Sequence, residues 1–432
     1  MTNTGIDTGA DTKDLPVTVV PDRTLRVKII DACGLACTFC HNEGTPVTTD
    51  NLGRAAGDFT GTPGRSGRVS IYLANNGAGF LPERIKADAD FALALAAVRG
   101  SLPTSEVHFT GGEPTLHPEL PALVRIARRL GLTVGLTSNG ENGAAVLPEC
   151  AAAGLDRINL SVFGTTPEEL AAVQATRLAS PKLAARKLDA LAATIDTAAR
   201  HGVKVSANIV IPDRDHVARV LRVMEEYGRA VTVRMLVNLE DDGASLAAMQ
   251  EVVDRLGAVP VRRVITAGAS DQRVRYRLPD GRTLLAKSIR PVRLPDTCAG
   301  CRFNNERDCQ EGYYGVRMYR ARNGPFMVGV CIQRMDLCLT LGEFVMSRRC
   351  AEVREFREEE AARLAGLYEG VRTPGCPEPL PEPVVGAQLG APARRASFIR
   401  VKAVGVRRRG RAFLICWAIS SGVFLLVSHS MS

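Results

Sequence analysis

Six short apolar runs, each followed by a helical stretch, constrain this chain more than any other feature. The runs are TLRVKII (24–30), EVHFT (106–110), TVGLTSN (133–139), RINLSVF (157–163), KVSANIVI (204–211) and VTVRMLVN (231–238), all rich in β-branched residues. Helical patterns lie between and after them at 82–98, 118–131, 143–153, 167–175, 181–201, 215–228 and 243–256. Parallel strands need crossover connections, so this alternation predicts an α/β fold with a parallel sheet. Amphipathic outer helices suit a partial (β/α)6 TIM-like barrel, in which chemistry sits at the C-terminal ends of the strands.

Beyond residue 240 the alternation fades. RVRYRLPDGRTLLAK reads as a hairpin about Asp280-Gly281, and a small C-terminal cysteine-rich domain follows. The expected organisation is a disordered start (1–22), the barrel core (23–240) and a cysteine-bearing extension (241–350). A charged surface helix (351–370) precedes a linker, basic stretch and hydrophobic tail (371–432).

Directly past the first strand stands DACGLACTFCHNEG (31–44), with Cys33, Cys37 and Cys40 in C-x3-C-x2-C spacing. Three thiolates on one tight loop can hold three corners of a cubane iron–sulfur cluster, leaving the fourth iron for a small chelating ligand. Zinc would want a fourth ligand, and His41, directly after Cys40, is poorly placed to supply it. Three unrelated structural thiols are the plain alternative. No basic-then-apolar signal opens the chain, so its twelve cysteines argue for metal or redox chemistry in the cytoplasm over a disulfide framework.

With these residues the sequence resembles the radical S-adenosylmethionine (SAM) superfamily. TGGEPTLHP (110–118), TSNG (137–140), NLSVFG (159–164) and VRMLVNLE (233–240) follow in the order that family carries them. The resemblance implies a [4Fe-4S] cluster on Cys33, Cys37 and Cys40, with SAM at its open iron. It implies Phe39 beside the adenine and Gly111, Gly112 and Glu113 at SAM's amino group. Ser138, Asn159 and Ser161 would meet its ribose or carboxylate, with Arg234 a further SAM-side candidate. Each has a structural alternative: a glycine pair permits a tight turn, and Asn or Ser at a strand end caps a loop. His108 and His117, flanking the glycine motif, read as hydrogen-bonded histidines and not as ligands. No G-x-G-x-x-G fingerprint supports a dinucleotide fold.

A second cluster comprises Cys298, Cys301, Cys309 and Cys331, with Cys338 an alternate ligand. It resembles the auxiliary-cluster region of the molybdenum-cofactor enzymes that rearrange GTP, but carries the extra Cys309 and lacks two closing glycines. Four ligands would close a second iron–sulfur cluster for electron relay or support; three would leave an iron for substrate. Structural zinc is the alternative. Cys150, Cys350, Cys376 and Cys416 stand alone and read as ordinary thiols. Tyr313, Tyr314, Arg317 and Glu311 lie close enough in sequence to touch substrate.

The formal charge of +9 sits almost wholly in the tail, where no acidic residue follows Glu382. The body is near neutral, so no nucleic-acid partner is expected. AFLICWAISSGVFLLVSHS (412–430) reads as a membrane anchor behind RRRGR, as a soluble apolar terminus, or as a gene end out of frame. The expected partners are a small-molecule substrate and a reductase or flavodoxin/ferredoxin-type electron donor, with no membrane unless the tail anchors.

The short segment before the first strand favours a small molecule over a peptide. Size and cysteine layout resemble enzymes of aminoglycoside-type pathways. The expected activity is therefore radical dehydration, deoxygenation or oxidation of a polyhydroxylated metabolite in secondary metabolism. The alternatives are GTP rearrangement in molybdenum-cofactor biosynthesis, modification of a ribosomal peptide, and a non-catalytic iron–sulfur or zinc protein. No general acid or base can be named from the sequence.

Overall fold

In the computed structural model the described residues are 15–368, apart from 176, 177 and 241. The expected linker, basic stretch and hydrophobic run, with Cys376 and Cys416, lie outside them. Six parallel strands form the centre of the sheet in chain order: β2 (Thr24–Ile30), β3 (Glu106–Gly111), β4 (Thr133–Ser138), β5 (Arg157–Ser161), β6 (Lys204–Ile211) and β7 (Val231–Val237). All six match the expected runs, because β-branched alternation and turn residues fix both period and ends. One face buries Val27, Phe109, Leu136, Ile158, Ala207 and Val233 against the helices, giving one large core.

The helices are α1 (Thr48–Asn51), α2 (Ala89–Ser101), α3 (Leu120–Arg129), α4 (Gly143–Ala152), α5 (Pro167–Ala172), α6 (Pro181–Arg200), α7 (Val217–Glu226), α8 (Asp242–Arg255), α9 (Leu341–Val345) and α10 (Arg348–Leu367). Helix α2 starts later than the expected 82–98. Asp88 caps it through the Phe91 N–H at 3.0 Å. The preceding backbone instead bonds strand neighbours, with Glu83 N donating to Arg320 O and Ile85 N to Ile29 O.

The sheet is wider than the six expected strands. Its order is β1-β8-β9-β10-β7-β6-β5-β4-β3-β2-β11-β12-β13, a partial barrel extended at both edges. Strand β1 (Val17–Pro21) lies inside the stretch expected to be disordered. It pairs in parallel with β8 (Val259–Ala267), and Val17 and Val19 pack on Ile265, Ala267 and Leu364. The hairpin about Asp280-Gly281 is present as β9 (Asp271–Arg277) and β10 (Thr283–Ile289). Past β2 come β11 (Val316–Arg320), β12 (Phe326–Gly329) and β13 (Leu339–Thr340). Strands of the cysteine-rich extension thus join the sheet at both of its edges.

Helix α10 also departs from expectation. Its charges suggest a surface helix, yet Glu352, Val353, Arg357, Glu360 and Leu364 are buried. Arg357 Nη2 donates to Asp22 Oδ2 at 2.6 Å, tying the helix to the turn before β2. Glu352 accepts from Asp296 N, Thr297 N and Thr297 Oγ1 at 2.6–2.8 Å, fixing the chain just before Cys298. The buried charges are tolerated because each has a hydrogen-bonded partner.

Candidate active site

The first cysteine loop leaves the C-terminal end of β2, the edge where a barrel of this kind does its chemistry. Its backbone is sewn to the segment after α5: Thr38 N donates to Val173 O at 3.0 Å and Ala175 N to Ala36 O at 2.8 Å. Gln174 works in both directions. Its Oε1 accepts from Ala36 N at 2.8 Å, and its Nε2 donates to Cys37 Sγ at 3.4 Å. Asn139 Nδ2 points at Cys33 Sγ from 3.6 Å, and Leu35 N donates to the same sulfur at 3.4 Å. Glu141, ion-paired to Lys187, accepts from Gly34 N at 2.7 Å. Several N–H donors thus aim at sulfurs and at the loop that carries them.

Burial pushes the Cys37 thiol up to about 12 and raises Cys33 as well. Thiolates in such a place need a cation, and metal coordination deprotonates a thiol outright. A single zinc ion would want a fourth ligand beside these three thiols. In a cubane each thiolate binds its own iron, so its ligands ring a larger volume. The buried loop, its sulfur-directed donors and its all-thiol donor set fit an iron–sulfur cluster.

Beneath the loop lies a buried polar knot. Lys28 Nζ donates to Asp31 Oδ1 at 2.7 Å, Thr45 Oγ1 at 2.6 Å and Asn42 Oδ1 at 3.0 Å. Arg68 reaches the Asp31 carbonyl and Asn42 Oδ1. Burial opposes the Asp31 charge, but Lys28 and Arg68 outweigh it and hold the carboxyl down to about 2. Lys28, Asp31, Asn42 and Asn139 stand inside quoted stretches without having been singled out, and the sequence marked neither Arg68 nor Gln174, Glu141 or Lys187.

The glycine pair serves close approach. A Cβ on Gly111 would lie 2.4 Å from Ile30 O, and one on Gly112 2.3 Å from Asp31 O and 2.4 Å from Ala32 O. These are backbone atoms leading into Cys33, so they cannot swing aside. Gly112→Ala is expected to displace the loop and weaken iron uptake about tenfold, as loss of outer-shell support typically does. Iron per protein after reconstitution is the readout. Gly79→Ala, where a Cβ meets nothing within 4 Å, should match wild type.

Glu113 is a hub with 1% exposure. Its Oε1 accepts from Thr115 N (2.9 Å), Thr115 Oγ1 (2.6 Å) and Ser138 Oγ (2.6 Å), and its Oε2 from Asn139 N (2.6 Å). Burial raises its pKa; these donors pull it back. Glu113 and Ser138 therefore lock the end of β3 to that of β4. His117 Nε2 bonds Ile85 O at 2.7 Å, and His108 Nε2 pairs with Thr137 Oγ1 at 2.7 Å. Burial pushes His108 down to about 4, so it sits neutral at pH 7.

Ser161 lines a cavity of ≈ 270 Å³ with Leu35, Asn139, Phe163, Gly164 and Lys187, beside the cysteine loop. Phe39, 45% exposed, meets Phe163 edge to face at 5.3 Å on the same side. Asn159, on the same face of β5 as Ser161, and Arg234 face the inside of the barrel, joined by Arg234 Nη1 donating to Asn159 Oδ1 at 3.3 Å. Strand register places Arg317, Arg26, His108 and Arg157 across neighbouring strands on that same inner face. Arg273, Lys287 and Tyr314 join them. Lys287 bonds the Tyr314 hydroxyl, and Arg26 stacks 4.6 Å over its ring. Several of these cations have carboxylate partners: Arg157 with Glu106, Arg273 and Lys287 with Asp271, and Arg317 with Glu43. Arg234 Nε, Asn208 Oδ1 and Thr110 Oγ1 are buried with no hydrogen-bond partner among the described residues. Buried polar atoms want partners, so this inner face is built for a polar ligand.

The cysteines of the second set lie on neighbouring loops. Cys298, Cys301, Cys309 and Cys331 all line one cavity of ≈ 440 Å³ of empty volume, with Arg293, Tyr313 and Arg334 in its wall. Arg334 Nη1 donates to Cys301 Sγ at 3.4 Å. Cys338 packs beside Tyr319, Met335 and Leu73, near enough to Cys331 for their charges to interact. Tyr313 is a core residue against Phe356, whereas Tyr314 and Arg317 reach the barrel interior. Cys150 and Cys350 lie buried in the main core. No helix among the described residues is long and apolar enough to cross a membrane.

Comparison with known proteins gives a consistent picture. Residues 27–227 match the family described as the Radical SAM superfamily. The chain is 27% identical over 310 residues to a probable GTP 3',8-cyclase of Metallosphaera sedula, covering 69% of this chain and 82% of that protein. It is 26% identical over 285 residues to the GTP 3',8-cyclase of Chlorobaculum tepidum, covering 64% and 73%. The crystal structure of Streptococcus suis SuiB bound to S-adenosylmethionine aligns over 57% of this chain and 48% of that one, at 13% identity and a TM-score of 0.35. A structural match that loose carries no argument about site or substrate.

Proposed function

The chain is a radical SAM enzyme through its residues 27–227, and on that premise we propose that it cyclises GTP between its 3′ and 8 positions. The observation that carries the reading is the basic inner face of the barrel, with its orphaned polar atoms at Arg234, Asn208 and Thr110. A triphosphate supplies negative charge and acceptor oxygens for the Arg234 and Thr110 donors, and an N–H or O–H of the nucleoside would pair with the Asn208 oxygen, an acceptor. The relatives named above are GTP 3',8-cyclases, which supports this substrate over the polyhydroxylated metabolite expected from sequence.

Cys33, Cys37 and Cys40 would hold three corners of the SAM-binding cluster. Such a cluster, when bound, would supply the one-electron reduction of SAM on which radical hydrogen abstraction depends. The chain's own residues prepare the place. Gln174 and Asn139 aim N–H groups at the sulfurs, while Phe39, Phe163 and Ser161 flank the cavity beside the loop for the nucleoside end of SAM. Glu113 and Ser138 hold the strand ends on which that cavity depends. Arg26, Arg234 and Arg317 offer guanidinium forks for phosphate oxygens.

Cys298, Cys301, Cys309 and Cys331 would hold a second iron–sulfur centre. If all four bind, that centre would relay electrons or support structure, and the inner-face cations would hold substrate. The electron itself comes from an external flavodoxin- or ferredoxin-type reductant.

The test is anaerobic incubation of the reconstituted protein with dithionite, SAM and GTP. GTP consumption matched by 5′-deoxyadenosine is the expected result. Calorimetry that detects no GTP binding would remove the reading, and stimulation by an aminocyclitol in place of GTP would restore the polyhydroxylated substrate.

A further inference from the structure

The two cysteine centres are joined by one short piece of chain that belongs to neither motif. Asn76 is fully buried. Its Nδ2 donates to the Gly44 carbonyl at 2.7 Å and to the Ile332 carbonyl at 3.0 Å. Gly44 closes the loop that carries Cys33, Cys37 and Cys40, while Ile332 follows Cys331. One amide group therefore grips both cysteine-bearing loops. Its Oδ1 accepts from Ala78 N at 3.2 Å, which fixes the orientation of the amide.

The neighbours of Asn76 do the same. Ile71 N donates to Cys40 O at 3.1 Å, and Arg302, next to Cys301, donates to Asn75 O. The loops also touch directly, since a Cβ on Gly44 would lie 2.6 Å from Ile332 O. Asn42, Glu43 and Gly44 carry φ of 47, 55 and 76° in succession. Left-handed backbone at two residues that are not glycine is costly and persists only where the surroundings enforce it. Here β11 does so: Arg317 Nε donates to Glu43 Oε2 and Tyr319 OH to Glu43 O, both at 3.0 Å.

We propose that Asn76 is a positioning residue that couples the two cysteine centres, so that filling the second holds the first loop in its cluster-binding shape. The inference rests on the reading that both cysteine sets hold iron–sulfur centres. Metal on Cys331 fixes Ile332, Ile332 orients Asn76, and Asn76 fixes Gly44 and the strained turn after Cys40. Coupling of this kind is reciprocal.

The test uses the full-length chain, loaded anaerobically with iron and sulfide, reduced, and challenged with a ferrous chelator. The paramagnetic signal that shifts on adding SAM reports the first centre. Cys331→Ala should make that signal decay about tenfold faster, the scale of lost outer-shell support. Asn76→Ala should give the same decay with both cysteine sets intact, and the double variant should be no worse than either single change. Gly44→Ala, which drives the loops apart sterically, should reproduce the loss by a second route if Asn76→Ala folds poorly. Wild-type decay in a folded Asn76→Ala, or additive decay in the double variant, overturns the proposal; where Asn76→Ala does not fold, wild-type decay in Gly44→Ala overturns it. A wild-type chain that takes up iron at neither set overturns the functional reading and this inference together. One that fills both sets, yet is indifferent to Asn76, overturns the inference alone.

Discussion

Cys37→Ala is expected to abolish 5′-deoxyadenosine formation, leaving the level of a protein-free control. The sulfur sits on a loop sewn to residues 173–175, with Gln174 donating to it at 3.4 Å. Alanine keeps the sewing but removes one of three corners. No other described cysteine can replace it, because Cys150 and Cys350 lie in the core and the remaining five surround or neighbour the second cavity. Iron analysis and the SAM-induced shift of the paramagnetic signal separate loss of the cluster from loss of the fold, which circular dichroism should show retained. Gln174→Ala supplies a graded companion: the loop loses two hydrogen bonds but no ligand, and activity should fall by about 10–100-fold. Persistent 5′-deoxyadenosine from Cys37→Ala would refute the cluster assignment.

Arg234→Ala is expected to raise the KM for GTP by about 10–100-fold with little change in kcat, the loss of one or two charge-assisted hydrogen bonds. Arg234 is buried, its Nε has no partner, and one nitrogen reaches Asn159 at 3.3 Å. Burial lowers its pKa, and the neighbouring Arg273 adds to that. A guanidinium so placed costs stability until an anion arrives, because desolvation outweighs what Asn159 returns. The thermal midpoint of the ligand-free Arg234→Ala protein should therefore be equal to or above that of wild type. Arg234→Lys should not restore affinity, since a point charge cannot copy a planar fork. A KM rise for SAM in place of GTP would return Arg234 to the cofactor side, where the family resemblance put it.

The sequence alone determined the six central strands, the helices between them and the loop on which three cysteines cluster. Those features are local: period, capping residues and turn chemistry are written within a few positions of each element. The spacing of Cys298, Cys301 and Cys309 likewise keeps them near one another in any fold, and in this one they line a cavity with Cys331. Only the tertiary structure decided what long-range pairing controls. Strand β1 finds its partner some 240 residues away in β8, and a five-residue run carries no signal of that. The charges of α10 look like a solvated face until Asp22 and Thr297 meet them. Asn76, in a stretch of plain loop composition, became the link between two centres, because hydrogen bonds join residues by distance in space and leave no mark in the chain.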